Sequence, residues 1–152
     1  MSPTELLEFM RTHRLAVEAS CAPGGAAQAA LVGIAVTDAF EIVFDTLDTT
    51  RKARNLRASA RAAFVLGGSM AGDQRTVQFE GIADEPRGAM LERVKTAYFA
   101  AWPDGPSRAS WPGITYFRVR PTWIRYSDFN VAPPQIIEFT SDQLAAAPAN
   151  ER

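Results

Sequence analysis

The chain has 152 residues, 47% of them hydrophobic, and its 16 basic and 17 acidic side chains give a formal net charge of -1. That length carries one domain with a real core and leaves little room for a second. The near-neutral balance argues against a surface built to hold nucleic acid or anionic lipid. A single cysteine, Cys21, excludes an intrachain disulfide, and a single histidine, His13, leaves too few soft ligands for an ordinary zinc site. Any Ser-His-Asp or Cys-His-Asn hydrolase would have to use His13, whose place at a helix end favours capping. An enzyme built on this chain is therefore expected to draw its reactivity from a bound organic cofactor.

Ser2 followed by Pro3 predicts a helix N-cap with proline at the first helical position, and Leu6, Leu7 and Met10 then share one face. The opening segment lacks the apolar centre of a signal peptide and no apolar run is long enough to span a membrane, so the expected compartment is the cytoplasm. Leu15 to Cys21 alternates as a strand, with Cys21 as a small apolar member, and Pro23 to Gly25 is a flexible connection. Gln28 to Thr37 is apolar nearly throughout, which predicts a strand covered on both faces. Its small residues Ala30, Gly33 and Ala35 imply close approach by another backbone or by a flat ligand. Thr37 to Phe40 then turns the chain into Glu41 to Thr46, completing a hairpin.

A short helix is expected from about Thr50 to Ala58, followed by a strand from Ala62 to Leu66. The loop Gly67 to Asp73 lacks the lysine and spacing of a P-loop and reads as a hairpin connection. Thr76 to Ala83 alternates, with Val77, Phe79 and Gly81 on one face and a bulge expected at Gly81. Leu91, Val94 and Tyr98 predict a helix between Pro86 and Ala101 that packs on the sheet. Trp102 to Gly113 should be an ordered loop whose Trp102 and Trp111 serve packing, a ligand or an interface. A long strand, Ile114 to Tyr126, and a short one, Ile136 to Phe139, complete a single domain over 1–140, with 141–152 as a fraying tail. Six or seven strands joined by short connections favour an antiparallel barrel or sandwich, and with no regular strand-helix alternation and no GxGxxG a Rossmann fold fits poorly.

The segment IVFDTLDTTRKARNLRASARAAFVL, Ile42 to Leu66, carries the clearest chemistry. It places Arg51 and Lys52 in the first turn of a helix, where the backbone already offers unpaired N–H groups and a partial positive charge. The hydroxyls of Thr46, Thr49 and Thr50 lie beside the same spot. A phosphate would satisfy all of these groups together. The alternative is a solvated basic face formed by Arg51, Lys52, Arg54 and Arg57, capped by Asp48 or Thr49.

FDTLDTTRK, the strand Ala62 to Leu66 behind its helix, and TVQFEGIADEP resemble the FMN-binding split-barrel proteins related to pyridoxamine 5'-phosphate oxidase. The resemblance runs from the first helix to about Phe129. It implies a mainly β protein with flanking helices, built on a six-stranded antiparallel split barrel. It also implies FMN as cofactor, with the phosphate held by Thr46, Thr50, Arg51 and Lys52. The backbone of Ala30, Leu31, Val32 and Gly33 would face the isoalloxazine and ribityl chain, and Thr76 or Gln78 the pyrimidine edge. Family members are typically homodimers with FMN between subunits, so the loop around Trp102 and Trp111 is within reach of a partner's flavin.

The chain also departs from the oxidase. An arginine and a lysine of that enzyme align with Ala30 and Ala35, a flavin-side tryptophan with Ser127, and the longer C-terminal region with its substrate arginine is missing. Vitamin B6 oxidation is therefore not expected. The expected function is an FMN-dependent oxidoreductase passing hydride through flavin N5 to or from a small substrate or NAD(P)H, with no side chain named as acid or base. The alternative is a flavin-binding module without turnover, acting as carrier, sensor or partner-binding protein. Related barrels also accommodate deazaflavin or haem.

Overall fold

A computed structural model describes residues 1–68 and 70–145. The first helix, α1 (Pro3–Thr12), starts with a reciprocal capping box: the Ser2 hydroxyl accepts from the Glu5 N–H and the Glu5 carboxylate accepts from the Ser2 N–H. Leu6, Phe9 and Met10 are buried on its inner face, so the expected stripe holds, with Phe9 added and Leu7 at its margin.

Among the described residues eight strands make one antiparallel sheet: β1 (Leu15–Cys21), β2 (Ala27–Gly33), β3 (Ala35–Val36), β4 (Ile42–Leu47), β5 (Arg61–Gly67), β6 (Arg75–Asp84), β7 (Ile114–Asp128) and β8 (Gln135–Thr140). The order is β2-β1-β5-β6-β7-β4-β3, with β8 also on β7. Only the buried Ile34 separates β2 from β3, and its N–H donates to the Arg14 carbonyl at 2.9 Å. The two are one path that leaves β1 at one edge and meets β4 at the other, curling the sheet into a half-barrel. Counted so, the six strands of the expected barrel are present, and β8 is the short last strand expected over Ile136 to Phe139. Strand β7 pairs with β4 through its first half and with β8 through its second.

The interior is aromatic. Phe44 and Phe117 stack at 5.6 Å between ring centroids, and Phe64 meets Phe44 and Phe79 edge-on at 5.9 and 5.8 Å. Each such buried ring contributes roughly 1.5–3 kcal/mol of transfer free energy, which makes this cluster the main support of the fold. Val77, Phe79, Gly81 and Ala83 of β6 all point inward, and the ladder to β7 slips between Glu80 and Gly81, where the bulge was expected. A Cβ at Gly81 would strike the Arg120 carbonyl, so only glycine fits that bend.

Helix α2 (Arg51–Ala58) closes one end of the half-barrel with Ala53 and Leu56. Helix α3 (Gly88–Ala101) packs on the outside, where Val94 and Tyr98 form a second cluster with Ala35, Val43 and Tyr116. The loop from Trp102 to Gly113 contains a short helix, α4 (Gly105–Arg108), tied down where Arg108 meets Asp45 at 3.2 Å. Beyond residue 140 the chain forms a further turn, α5 (Ser141–Ala145), whose Leu144 joins the main core; the rest of the expected tail, 146–152, lies outside the described residues. Among the described residues no helix is long and apolar enough to cross a membrane.

One expectation fails at β2. Its apolar run suggested cover on both faces, yet only Val32 is buried and Leu31 is 66% exposed. Strand β2 is an edge of the sheet in the single chain, and on its outer face Leu31 stands exposed while Gly33 meets the Trp102 ring.

Candidate functional site

The site is built where β4 ends and α2 begins. Thr46 is the last inward-facing residue of β4, and the chain turns through Leu47 to Thr50. Thr50, rather than Asp48 or Thr49, is the N-cap: its hydroxyl accepts from the Ala53 N–H at 3.3 Å and donates to the Leu47 carbonyl at 2.9 Å. The Thr46 and Thr50 hydroxyl oxygens are 3.1 Å apart. With the Thr50 proton given to Leu47, the Thr46 hydroxyl is the donor of that pair or points its proton at a ligand.

Arg51 and Lys52 follow in the first helical turn. Among the described residues neither makes an ion pair or a side-chain hydrogen bond, whereas Arg57, three residues beyond Arg54, is held by Glu85 at 2.6 Å. Arg57 is thereby removed from the basic cluster. Arg51 and Lys52 instead border a cavity of about 280 Å³ whose other walls are Glu18, Ser20, Gln28, Ala29 and Ala30. Two cations at the positive end of a helix, beside an open cavity, are chemically suited to an anionic group.

The cavity floor is polar. Glu18 is only 1% exposed and its Oε1 has no hydrogen-bond partner. Burial pushes its carboxyl above the ordinary carboxylate range, against the opposing pull of the Ser20 hydroxyl and the Lys52 charge. Beside it, Asn55 of α2 donates to the Ser20 hydroxyl at 3.2 Å and to the Gln28 side-chain oxygen at 2.8 Å, locking α2 to β1 and β2. Glu18 faces Ala30 across the β1–β2 ladder. Ala30, with a methyl side chain, brings no polar group to the carboxylate, and both residues line the cavity.

The residues expected from sequence divide into three sets. Thr46, Thr50, Arg51 and Lys52 come together at the α2 N-terminus, and Ala30 lines the cavity beside Arg51 and Lys52. Val32 points into the core, Leu31 points outward, and Gly33 lies against the Trp102 indole, where a Cβ would sit 2.7 Å from the ring. Trp102 also donates from its indole N–H to the Ile34 carbonyl at 3.0 Å and carries the Arg14 guanidinium 4.3 Å above its ring. Its role in the single chain is packing, and the small size of Gly33 and Ala35 answers to Trp102 and α3. Trp111 is 53% exposed.

Thr76 and Gln78 form the third set. They alternate with the inward Val77 and Phe79, so they face the outside of β6, away from the cavity of the same chain. Gln78 pairs with Val65, Val65 with Val17, and Val17 with Leu31, which makes one cross-strand row along the outer face. Glu18, Ser20, Gln28 and Asn55 are site residues that sequence reasoning missed. Their one signal was the pattern Ala16, Glu18, Ser20 on a single strand face, which reads as the solvent side until the curl of the sheet is known.

Several solved structures share this architecture. A heme binding protein from Mycobacterium smegmatis superposes with a TM-score of 0.82 at 19% identity, covering 98% of this chain and 62% of that one. The present chain thus spans about three fifths of that protein's length. The heme storage protein HutZ from Vibrio cholerae superposes at 0.68 with 13% identity, covering 80% of this chain and 91% of that one. A pyridoxamine 5'-phosphate oxidase-related, FMN binding protein from Nostoc punctiforme superposes at 0.65 with 11% identity, covering 91% and 86%. At these identities the likeness is one of fold. No curated protein matches the sequence. The pattern of the family described as Pyridoxamine 5'-phosphate oxidase matches residues 2–128, from the α1 cap to the end of β7. The chain belongs to the pyridoxamine 5'-phosphate oxidase family.

Proposed function

We propose that the protein binds FMN and works as a flavin-dependent oxidoreductase on a small substrate, with NAD(P)H as a donor. The observation that carries this reading is the pair Arg51 and Lys52, without ion pairs, at the first turn of α2 over a cavity walled by Ala30 and Glu18. A phosphate monoester at this point gains two cations, the α2 N–H groups and the Thr46 hydroxyl, which together match its charge and its acceptor oxygens. The polar floor suits a ribityl chain, because the orphaned Glu18 oxygen needs a donor and alcohols are donors.

Haem fits these residues less well. It brings carboxylates where Glu18 already stands, and the one histidine, His13, caps α1 with its Nδ1 2.9 Å from the Phe9 carbonyl, in a different cavity from Arg51 and Lys52. Cys21 lies on the exposed outer face of β1. Bound FMN would supply hydride transfer at its N5. This chain's residues would anchor the phosphate, hold the ribityl chain and keep the ring along β2.

A second copy of the chain is the partner this reading calls for. Leu31, Val17 and Val65 are 66%, 42% and 45% exposed in one row that continues into Gln78. Covering this row would bury apolar surface and carry the outward Thr76 and Gln78 of one subunit toward its partner. The partner's flavin would lie within their reach.

The test begins with an absorbance spectrum of the purified protein and mass identification of what denaturation releases. Flavin bands with FMN released support the reading; a Soret band with haem released overturns it. Replacing both Arg51 and Lys52 with Ala should weaken FMN binding by more than about 100-fold, since each charge-assisted hydrogen bond contributes about 1.5–3 kcal/mol. Bleaching of bound FMN by NADPH or NADH, with reoxidation by an acceptor, separates an enzyme from a flavin carrier or sensor.

A further inference from the structure

We propose that Glu18 selects the ligand, by accepting a hydrogen bond from a neutral hydroxyl carried close to the phosphate that Arg51 and Lys52 hold. The inference rests on the FMN reading and assigns a specificity role to a residue outside the anion clamp. Glu18 is 1% exposed, lines the cavity shared with Arg51 and Lys52, and has an Oε1 without a partner. A buried carboxylate oxygen with no donor carries its full desolvation penalty until something donates to it.

Ser20 is the one neighbour whose hydroxyl draws on the carboxyl, and among the described residues Oε1 is left without a donor. Asn55 spends both of its amide hydrogen bonds on Ser20 and Gln28, and Ala30, directly across the ladder, has no polar atom in its side chain. Lys52 tempers the carboxylate's charge from the same cavity without a hydrogen bond to it. The two ends of the cavity therefore ask for different groups in one molecule. Arg51 and Lys52 take the anion, and Glu18 repels a second anion but takes an alcohol. A phosphorylated polyol meets both demands. A phosphate ester with a bare alkyl chain meets only the first and leaves Oε1 orphaned, the circumstance in which hydrogen-bonding sites discriminate most strongly.

The experiment titrates ligand-free protein by flavin fluorescence, with FMN and with the same flavin carrying a 5-phosphopentyl chain that keeps the phosphate and lacks the hydroxyls. The wild type should prefer FMN by about 10-fold or more. In Glu18→Ala the two flavins should bind within about threefold of each other, and Glu18→Gln, which preserves shape and one acceptor, should lie between. Replacing Arg51 and Lys52 with Ala should weaken both flavins alike and keep the preference. An undiminished FMN preference in both Glu18 variants overturns the role of Glu18 alone. A wild-type protein that takes neither flavin overturns the cofactor reading and this inference together.

Discussion

Trp102 fills the volume in front of Gly33, and the contact is tight enough to forbid even a methyl group. Gly33→Ala would push a Cβ to 2.7 Å from the indole, so either the ring or β2 must move. The expected cost is about 1–3 kcal/mol, typical of overpacking, read by denaturant unfolding together with a shift in tryptophan emission. Glu18 makes a second prediction at this scale. Its carboxyl is held above the ordinary value of 4.5 by burial, so ionising it costs more in the folded protein than in the unfolded chain. The stability this contributes is complete at acid pH below 4.5 and is lost as pH rises through the raised folded value. Ligand-free Glu18→Gln should therefore melt above the wild type at neutral pH, with the gap narrowing toward acid; a gap independent of pH would contradict this. Glu18 was hidden in the sequence because LAVEASC alternates equally well in either orientation, and chemical intuition turns Leu15 and Val17 inward. The half-barrel does the opposite, since its interior at this end is the polar cavity.

At the scale of elements, α2 is held by one hydroxyl as well as by packing. Thr50→Ala removes the acceptor for the Ala53 N–H and the donor to Leu47, and should lower stability by about 1 kcal/mol in urea unfolding of the ligand-free protein. The strands were the most legible part of the chain. β6 announced both its inward face and its bulge, because Val77, Phe79 and Gly81 alternate with polar residues and only glycine tolerates the approach of the Arg120 carbonyl. The cluster at the start of α2 was legible for a different reason, since Arg51 and Lys52 violate the usual charge preference of a helix start. β2 was misread because an apolar run does not report which of a strand's faces the chain itself covers. The α4 turn was invisible, as four residues with one proline carry no periodicity.

For the molecule as a whole, the exposed row on β2, β1 and β5 is the feature that most affects behaviour in solution. Replacing Val17 and Leu31 with Lys places two charges in that row, at positions already accessible to water, so the fold of a single chain should be unaffected. Sedimentation is expected to show a dimer for the wild type and a monomer for the double variant, with weaker FMN retention in the latter. A wild type that sediments as a monomer at micromolar concentration would sink the assembly. With a net charge of -1, little long-range repulsion opposes association.

The position of β2 at the end of the sheet has a further consequence. It is hydrogen-bonded along its length only to β1, while β6 and β7 each lie between two neighbours. Amide hydrogens of β2 are therefore expected to exchange through local opening, long before those of β6 and β7, which wait for global unfolding. The cavity wall is drawn in part from an edge strand of the sheet, so a ligand can enter by fraying one edge without disturbing the aromatic interior. Occupancy should then slow exchange selectively in β2, registering in deuterium uptake as an edge that has become an interior.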